Sequence, residues 1–344
     1  MKKALALVLT LCMVFALAIP AYAAKEATGL PVKEGDTIRI ICPYGAGGVA
    51  DNIARKWGEV ATKNSEYNFI VENLTGGDGF LANTEYSEYP VDTSDLLIHG
   101  LGVIYRHDNG KEFDIEEVDF DRAEIQPVVM VDSRTWVLYA PVGVTLTDLI
   151  EKAQSTGLKM SGGNPLSDPH LCLGSLMALV DGNVMAIPYD GGANQLKALI
   201  DGEVDCFVGA ASAGKDYVEA GQVVPLLALG DKVFEGFTVN GEPISVKCVA
   251  GDDKHEELPA DVDFSGSILL GGGYIATRTG ASQEWVDKII EIAEAVWADE
   301  EFYGWIEDQL LNVESVYGQD AIDQANACAK VAREAFLLLA GEEG

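Results

Sequence analysis

The chain has 344 residues, of which 48% are hydrophobic, and carries a formal net charge of −32 at pH 7. A surface this acidic repels polyanions, which argues against nucleic acid or an anionic membrane as partner. The length is sufficient for two ordinary domains. Any anionic ligand would have to be held by local donors that overcome the mean repulsive field.

The N-terminal segment has the pattern of a secretory signal peptide. Met1–Lys3 is positively charged, Ala4–Ile19 is apolar, and Ala21–Ala23 supplies a small-residue cleavage site. We therefore expect a signal peptide over residues 1–23 and a periplasmic or otherwise extracytoplasmic mature protein. A retained anchor is the alternative, but the apolar run is short for a membrane span.

The cysteines of the mature chain are widely spaced, and no C-x-x-C pair occurs, so neither a zinc knuckle nor a thioredoxin-type site is expected. Buried free thiols are one interpretation, and a single disulfide in an oxidising compartment is the other. These cysteines are Cys42, Cys172, Cys206, Cys248 and Cys328.

Short apolar strands alternate with helical patterns along most of the chain, which predicts an α/β fold with mostly parallel sheets. The predicted strands are Thr37–Ile41, Phe69–Glu72, Leu96–His99, Gln126–Val131, Trp136–Tyr139, Leu158–Met160, Val184–Ile187, Val204–Val208 and Val223–Leu229. The predicted helices are Asp51–Thr62, Leu81–Ser87, Thr147–Gln154 (entered through Thr145), His170–Val180, Ala193–Ile200, Gln283–Trp297, Glu300–Leu310 and Asp320–Leu339. Residues 231–263 are the least regular part of the chain and are expected to form a surface excursion between domains.

Glycine-rich or small-residue loops follow four of the predicted strands, and each loop precedes a helix. Loops at the carboxyl ends of parallel strands line the crevice in which open α/β sheets bind ligands. Glycine lets backbone N–H groups approach an anion closely. The pattern predicts a binding cleft without catalytic groups. The loops are Gly45–Gly48, Gly76–Gly79, Ser161–Asn164 and Gly191–Gly192.

Two nucleotide-binding motifs are nearly matched. Gly45-x-Gly47-x-x-Ala50 satisfies the dinucleotide fingerprint, but Pro43 and Tyr44 occupy the position where that fold begins its tight turn. The stretch "GAASAGKD" nearly forms a phosphate-binding loop, but its last residue is acidic where Ser or Thr would hold magnesium. We expect no nucleotide cofactor.

Catalytic and metal-binding patterns are also missing from the sequence. Neither G-x-S-x-G nor H-E-x-x-H occurs, so no hydrolase or zinc-protease motif is present. The histidines are scattered without the spacing of a metal pair on a helix face, and we expect neither a metal nor a cofactor. They are His99, His107, His170 and His255.

The four loops, taken in order, resemble the solute receptors of tripartite tricarboxylate transporters, also called Bug receptors. "IRIICPYGAGGVADNIAR" is similar to the family's strand followed by Pro-(Phe/Tyr)-x-x-Gly-Gly-x-x-Asp, and "VENLTGGDGFLA" is similar to V-x-N-x-x-G-x-x-G. "LKMSGGNPLSDPHL" covers the small-residue loop with its histidine, and "IPYDGGANQLKALIDGEVDCFVG" resembles V-P-Y-x-G followed by L-x-x-G-x-V-D.

The resemblance implies a type II periplasmic-binding-protein fold, with two α/β domains, crossing hinge strands and a ligand cleft between them. Domain 1 is expected over residues 24–133 and 225–344, and domain 2 over residues 134–224. The implied function is capture of a small carboxylate-bearing solute (a di- or tricarboxylate, an amino acid or an aromatic acid) and its delivery to membrane permease subunits. We expect a monomer that closes around its ligand.

The resemblance also implies which residues contact the ligand. Gly47 and Gly48 are expected to give backbone donors, Asp51 to cap the helix or order the loop, and Tyr44 and Tyr189 either to wall the cleft or to pack in the core. His170 is either a structural histidine or a ligand contact. The full set of candidate ligand-binding residues is Tyr44, Ala46, Gly47, Gly48, Asp51, Gly77, Asp78, Ser161, Gly162, Gly163, Asn164, His170, Tyr189 and Gly191.

The chain departs from the family pattern at Asp78, where glycine is usual. This carboxylate would repel a citrate-like trianion but could pair with the ammonium group of an amino acid or with a bridging cation. Alternatively, it caps the following helix or faces solvent. Arg134 is either a countercharge for a ligand carboxylate or an exposed hinge arginine. A sensor receptor that presents its ligand to a signalling protein, or an exported enzyme on the same fold, remains an alternative to transport.

Overall fold

The computed structural model describes residues 27–110, 120–189, 192–312 and 315–341. The predicted signal peptide and Gly191 lie outside the described residues. The described strands are β1 Thr37–Cys42, β2 Asn68–Asn73, β3 Leu96–Gly100, β4 Ile125–Arg134, β5 Trp136–Pro141, β6 Leu158–Ser161, β7 Val184–Ala186, β8 Cys206–Ala210, β9 Val223–Leu229, β10 Phe234–Val239, β11 Glu242–Val246 and β12 Gly271–Arg278.

Helices follow most of these strands. They are α1 Val49–Asn64, α2 Phe80–Ser87, α3 Leu101–Gly110, α4 Leu146–Ser155, α5 Asp168–Ala178, α6 Gly192–Ile200, α7 Ala211–Glu219, α8 Gln283–Trp297, α9 Glu300–Asp308 and α10 Gly318–Ala340. Among the described helices, none is both long and apolar enough to cross a membrane.

Two five-stranded sheets have the same layout. The first has the order β2-β1-β3-β12-β4, and the second has the order β7-β6-β8-β5-β9. In each sheet the first three strands are parallel, and the fourth strand is antiparallel to its neighbours. Parallel strands joined through helices are covered on both faces, which explains why β1 reads as a nearly continuous apolar run.

The chain crosses between the two sheets twice. β4 passes into β5 through Thr135 alone, and the second crossing leads from β9 to β12 by way of the β10–β11 hairpin. α10 packs against α3 and β4 on one side and against α5 on the other. Its alanine-rich face belongs to a hydrophobic core that includes residues around both sheets.

Local sequence signals explain where several helices begin. α1 buries Ile53, Trp57 and Val60 on one face, with the spacing of an amphipathic helix. Thr145 and Asp148 form a capping box at the start of α4, because each side chain accepts a hydrogen bond from the other residue's backbone N–H. The predicted entry of this helix through Thr145 is confirmed.

Most predicted elements occur in the structure within a few residues of their predicted ends, and β9 and α8 match at both ends. The elements that were missed are α3, α7, β12 and the β10–β11 hairpin. α3 contains two glycines, which lower helix propensity, and β12 begins with a glycine run that weakens a strand pattern. Segment 231–263, predicted to be the least regular part of the chain, contains the β10–β11 hairpin.

The predicted domain boundaries stay a prediction. The boundary before residue 134 falls at the end of β4, and the boundary before residue 225 falls inside β9. β9 pairs with β5 over its length and therefore lies in the second sheet.

Candidate functional site

A cavity of about 440 Å³ lies between the two sheets, at the carboxyl ends of their parallel strands. The loops after β1, β2 and β6 reach it, and five helices present residues of their first turn to it. These first-turn residues are Val49 and Ala50 of α1, Gly102 of α3, Asp168 and Pro169 of α5, Gly192 and Ala193 of α6, and Ser212 and Ala213 of α7. Helix N-termini carry partial positive charge, so this cavity suits an anion.

The first loop is held in shape by Asp51. Its carboxylate accepts from the Gly47 N–H (2.8 Å), from Arg55 (2.9 Å) and from Asn73 (2.7 Å). Asn73 also donates to the Tyr44 carbonyl (2.9 Å). Hydrogen bonds to the charged form hold the pKa of Asp51 below its usual value against the opposing effect of burial, which is the largest single influence. Asp51 therefore orders the loop, as expected, and does not line the cavity.

The glycines of this loop line the cavity but do not offer it free donors. The N–H of Gly47 is taken by Asp51, and the N–H of Gly48 donates to the Gly45 carbonyl (3.2 Å). Both N–H groups therefore already have acceptors within the loop, and the donor role expected for them stays a prediction. Ala46 is exposed and does not line the cavity.

The backbone N–H groups available to a ligand are those of the next two residues, Val49 and Ala50. The first intrahelical bond of α1 runs from the Asn52 N–H to the Gly48 carbonyl (2.9 Å). The N–H groups of Val49 and Ala50 precede that bond, and within the described chain neither has a hydrogen-bond acceptor. Both residues line the cavity, so their N–H groups are the natural site for a carboxylate.

Asp78 in the second loop is already paired. Arg106 donates from Nη1 to its carboxylate (2.9 Å) and from Nη2 to the Gly77 carbonyl (3.1 Å). The guanidinium also lies over the Phe80 ring, 4.4 Å from its centroid. Asp78 lines the cavity at its edge, whereas Gly77 contributes only its carbonyl to Arg106. The ion pair with Arg106 is neither the pairing with a ligand ammonium group nor the helix cap considered for Asp78.

Arg134 stands at the end of the crossing strand β4 and lines the cavity. Its Nε donates to Asp132 (2.6 Å), whose side chain is only 2% exposed. The guanidinium also lies 5.9 Å from the Trp136 ring centroid. Burial raises the pKa of Asp132, and the adjacent guanidinium opposes that rise. Arg134 is thus a cavity-facing cation with an internal partner, not an exposed hinge residue.

The third loop is tightly constrained by its glycines. A Cβ on Gly162 would lie 1.9 Å from the Val208 carbonyl oxygen, and a Cβ on Gly163 would lie 2.1 Å from Ser167 Oγ. Both glycines line the cavity. Ser161 is fully buried and donates to the Gln195 carbonyl (2.9 Å), so it joins the loop to α6 instead of facing the cavity.

The remaining candidates lie away from this cavity. Asn164 and Tyr189 line a separate surface pocket, where the Tyr189 hydroxyl donates to Glu203 (3.0 Å). His170 Nδ1 accepts from the Leu166 N–H (3.0 Å), and burial lowers its pKa, which identifies a neutral structural histidine. Tyr44, in contrast, lines the cavity as one of its walls.

Three polar atoms at the cavity have no hydrogen-bond partner in the described structure. They are the indole Nε1 of Trp136, Ser167 Oγ and Ser212 Oγ. Buried polar groups are normally satisfied, so atoms left open at a cavity indicate groups that a bound molecule can satisfy. No signal in the sequence distinguished these side chains from ordinary strand and helix residues.

Asp168 is the other residue that sequence reasoning missed. It is the first residue of α5, and burial raises the pKa of its carboxyl to about 7, with the Asp78 charge adding to the effect. Its sequence context, Ser-Asp-Pro at a helix start, reads as a routine helix N-terminus. Within the described ranges no cluster of three or more His, Cys, Asp or Glu side chains is arranged to hold a metal ion.

The chain matches the family model described as tripartite tricarboxylate transporter family receptor, TctC, over residues 53–235, more than half of its length. It belongs to the TctC family. This family consists of solute-binding receptors, and the resemblance of the chain to this family is confirmed.

Individual TctC relatives are distant in sequence. A UPF0065 protein from the tcbD–tcbE intergenic region of Pseudomonas sp. strain P51 is 23% identical over 247 residues, which is 70% of this chain and 66% of that protein. The chain therefore spans slightly less than two thirds of this relative.

Solved structures show the same fold. MatC from Rhodopseudomonas palustris with bound malate has a TM-score of 0.70 and 15% identity, covering 88% of this chain and 99% of that one. The periplasmic binding protein BugD has a TM-score of 0.71 and 17% identity, covering 90% and 99%. An R. palustris protein with adipate has a TM-score of 0.69 and 18% identity, covering 87% and 97%. The predicted type II periplasmic-binding-protein fold, with two α/β domains and crossing strands, is confirmed.

Proposed function

We propose that this TctC protein is an extracytoplasmic receptor that captures a small carboxylate-bearing solute in its cleft. Bound solute is then delivered to the membrane permease of a tripartite tricarboxylate-type transporter. The observation that carries the proposal is the pair of free N–H groups of Val49 and Ala50, which face a cavity of about 440 Å³ at the start of α1. Malate and adipate in two neighbours of the same fold support a carboxylate as ligand.

The electrostatics of the cavity explain how an acidic protein can bind an anion. Five helix N-termini converge on the cavity, and Arg134 lines it between the two sheets. These local positive potentials act at short range, whereas the charge of the distant surface is screened by salt. Trp136, Phe207, Tyr217 and Trp305 add apolar walls suited to the carbon chain of a small acid.

The two-sheet arrangement also supports capture by closure. Residues from both sheets line the same cavity, and the chain passes between the sheets at Thr135 and again after β9. Domain closure about a few connecting residues would bury the solute. We propose that the closed form is the one that docks on the permease and that the signal peptide directs export.

The first prediction concerns the helix donors. Val49→Pro removes one N–H from the carboxylate site, and we expect the affinity for the best-bound acid to fall about 10–100-fold, since a charge-assisted hydrogen bond contributes roughly 1.5–3 kcal/mol. Proline suits the first residue of a helix, and Gly48 has the extended conformation that precedes proline (φ −73°, ψ 167°). Titration calorimetry with malate, succinate, adipate and citrate measures the effect.

The matched control is Gln283→Pro, which makes the same change at the first residue of α8, away from the cavity. We expect it to bind with wild-type affinity. Equal affinity of Val49→Pro and the wild type would contradict the proposed carboxylate site.

A further inference from the structure

The cleft contains one more carboxylate than its guanidinium groups neutralise. Arg106 is paired with Asp78, and Arg134 is paired with Asp132. Asp168 lines the same cavity without such a partner. In the described structure its carboxylate forms no ion pair and accepts a hydrogen bond only from its own backbone N–H.

Asp168 reaches across the cleft. It belongs to α5 beside the second sheet, yet its Oδ1 lies 2.8 Å from the position that a Cβ on Gly102 would occupy. Gly102 is in α3, which directly follows β3 of the first sheet. The absence of a side chain on Gly102 therefore creates the space that the Asp168 carboxylate occupies between the two halves of the protein.

An unpaired carboxylate in this position is costly. Burial and the nearby Asp78 raise the pKa of Asp168 to about 7, although Arg134 and Arg106 oppose the shift. Tyr44, Tyr105 and Cys172 are the other titratable side chains that face it, and burial raises the pKa of each of them. None of these three groups supplies a positive charge, so the only positive charges near the carboxylate are the guanidinium groups of Arg134 and Arg106, which are already paired.

The neighbouring hydroxyl is also unsatisfied. Ser167 is 4% exposed, lines the cavity, and its Oγ neither caps α5 nor has any other partner within the described residues. Two consecutive residues of the cavity lining thus offer a hydroxyl oxygen and a carboxylate, which are acceptors for the N–H donors of a primary ammonium group. A second carboxylate on the ligand would instead be repelled by the negative charge of Asp168.

Stabilisation of the α5 dipole does not explain the position of Asp168. Glu300 is the acidic first residue of α9 and remains exposed. It therefore interacts favourably with the helix dipole while keeping its hydration. A metal ion is a poor alternative, because the described residues hold no group of three suitable ligands.

We propose that Asp168, with Ser167 beside it, binds a primary ammonium group, so that the solute of this receptor is an amino acid and not a plain carboxylic acid. This inference rests on the proposed function and specifies its ligand class. The carboxylate of the solute lies on the N–H groups of Val49 and Ala50, and its ammonium group lies against Asp168.

The test is calorimetry with ligand pairs that differ only in the ammonium group: succinate and aspartate, glutarate and glutamate, butanoate and 4-aminobutanoate. For at least one pair we expect the amino acid to bind about 10-fold or more tightly than the plain acid, as for other charge-assisted contacts. Asp168→Asn is expected to weaken amino-acid binding about 10–100-fold while leaving the plain acid unchanged or tighter.

Two further variants separate charge from structure. Gly102→Ala places a methyl group against Asp168 Oδ1 and should reduce the preference for amino acids without changing any charge. Alanine has a higher helix propensity than glycine, so the substitution itself favours the α3 helix. Glu300→Gln removes the equivalent acid from α9 and should leave every affinity unchanged.

The pH profile provides a readout that a purely structural role would not change. The amino acid needs ionised Asp168, so its affinity should rise as pH increases from 5 to 8, whereas a plain dicarboxylate should bind more weakly over the same range. Asp168→Asn should abolish both trends.

The outcomes are distinguishable. Plain acids that bind as tightly as, or tighter than, every amino-acid partner overturn this inference and leave the receptor function standing. An equal loss of both ligands in Asp168→Asn also overturns it. Binding of no member of the three pairs, together with failure of malate, adipate and citrate, overturns both the inference and the proposed function.

Discussion

Arg134→Met is expected to reduce the free energy of unfolding by about 3–5 kcal/mol, the usual loss when one partner of a buried ion pair is removed. The variant leaves Asp132, whose side chain is 2% exposed, as an uncompensated charge beneath the cavity. It also removes a cation that favours ionisation of Asp168. Urea denaturation followed by fluorescence or circular dichroism measures the loss.

The direction of the pH dependence follows from the raised pKa of Asp132. The folded state binds a proton more readily than the unfolded state, so stability is lost as pH rises through the folded pKa. Without Arg134 this effect is larger, so the deficit should be greatest at alkaline pH and shrink on acidification.

Two comparisons test the cause. The double variant Arg134→Met, Asp132→Asn should recover much of the loss, because no charge remains buried. Lys197→Met breaks an exposed ion pair with Asp201 and should cost less than about 1 kcal/mol. A double variant as unstable as Arg134→Met alone would show that lost packing, and not the orphaned charge, is responsible.

Gly162→Ala is expected to cost about 2–6 kcal/mol, combining backbone strain with a steric overlap. Gly162 has φ +125°, which side chains rarely adopt, and its Cβ would lie 1.9 Å from the Val208 carbonyl oxygen. Backbone carbonyls cannot move aside as side-chain tips can, so the loop after β6 would separate from β8. Thermal and chemical unfolding of the purified variant measure the cost.

Gly45→Ala is the matched substitution in the first loop. Gly45 has no neighbour within 4 Å of a built Cβ and no positive φ, so we expect a change within about 0.5 kcal/mol. Gly162→Ala with wild-type stability would contradict the close approach of this loop to β8.

The fold could be predicted from the sequence because its signals are local. Alternating apolar strands and capped helices specify α/β units, and helix starts such as Thr145 carry their own hydrogen-bonding signature. The hairpin at 234–246 and the strand β12 were missed because their pairing partners are distant in sequence and their own segments are rich in glycine or polar residues.

The sequence predicted the position of the site but not which of its backbone N–H groups are free to bind a ligand. The sequence located the loops, yet the Gly47 and Gly48 N–H groups proved to be engaged within the loop, which left Val49 and Ala50 as donors. That outcome depends on where the Asp51 side chain points, which no residue pattern specifies.

The surroundings of Asp78 and Asp168 could not be predicted for the same reason. Asp78 stood out because it replaces a family glycine, but its charge is taken up by Arg106 from α3. Asp168 looked ordinary, and its isolation arises from the contact with Gly102 across the cleft. Charge compensation is a property of the tertiary arrangement, so only the structure could separate these two carboxylates.

The most direct test of the account is a crystal structure of the protein with the tightest-binding acid found by calorimetry. We predict the solute in the cavity between the two sheets, with one carboxylate oxygen about 2.7–3.1 Å from the backbone nitrogens of Val49 and Ala50, the normal range for such hydrogen bonds. A solute bound outside this cavity, or one with its carboxylate turned away from the start of α1, would contradict the account.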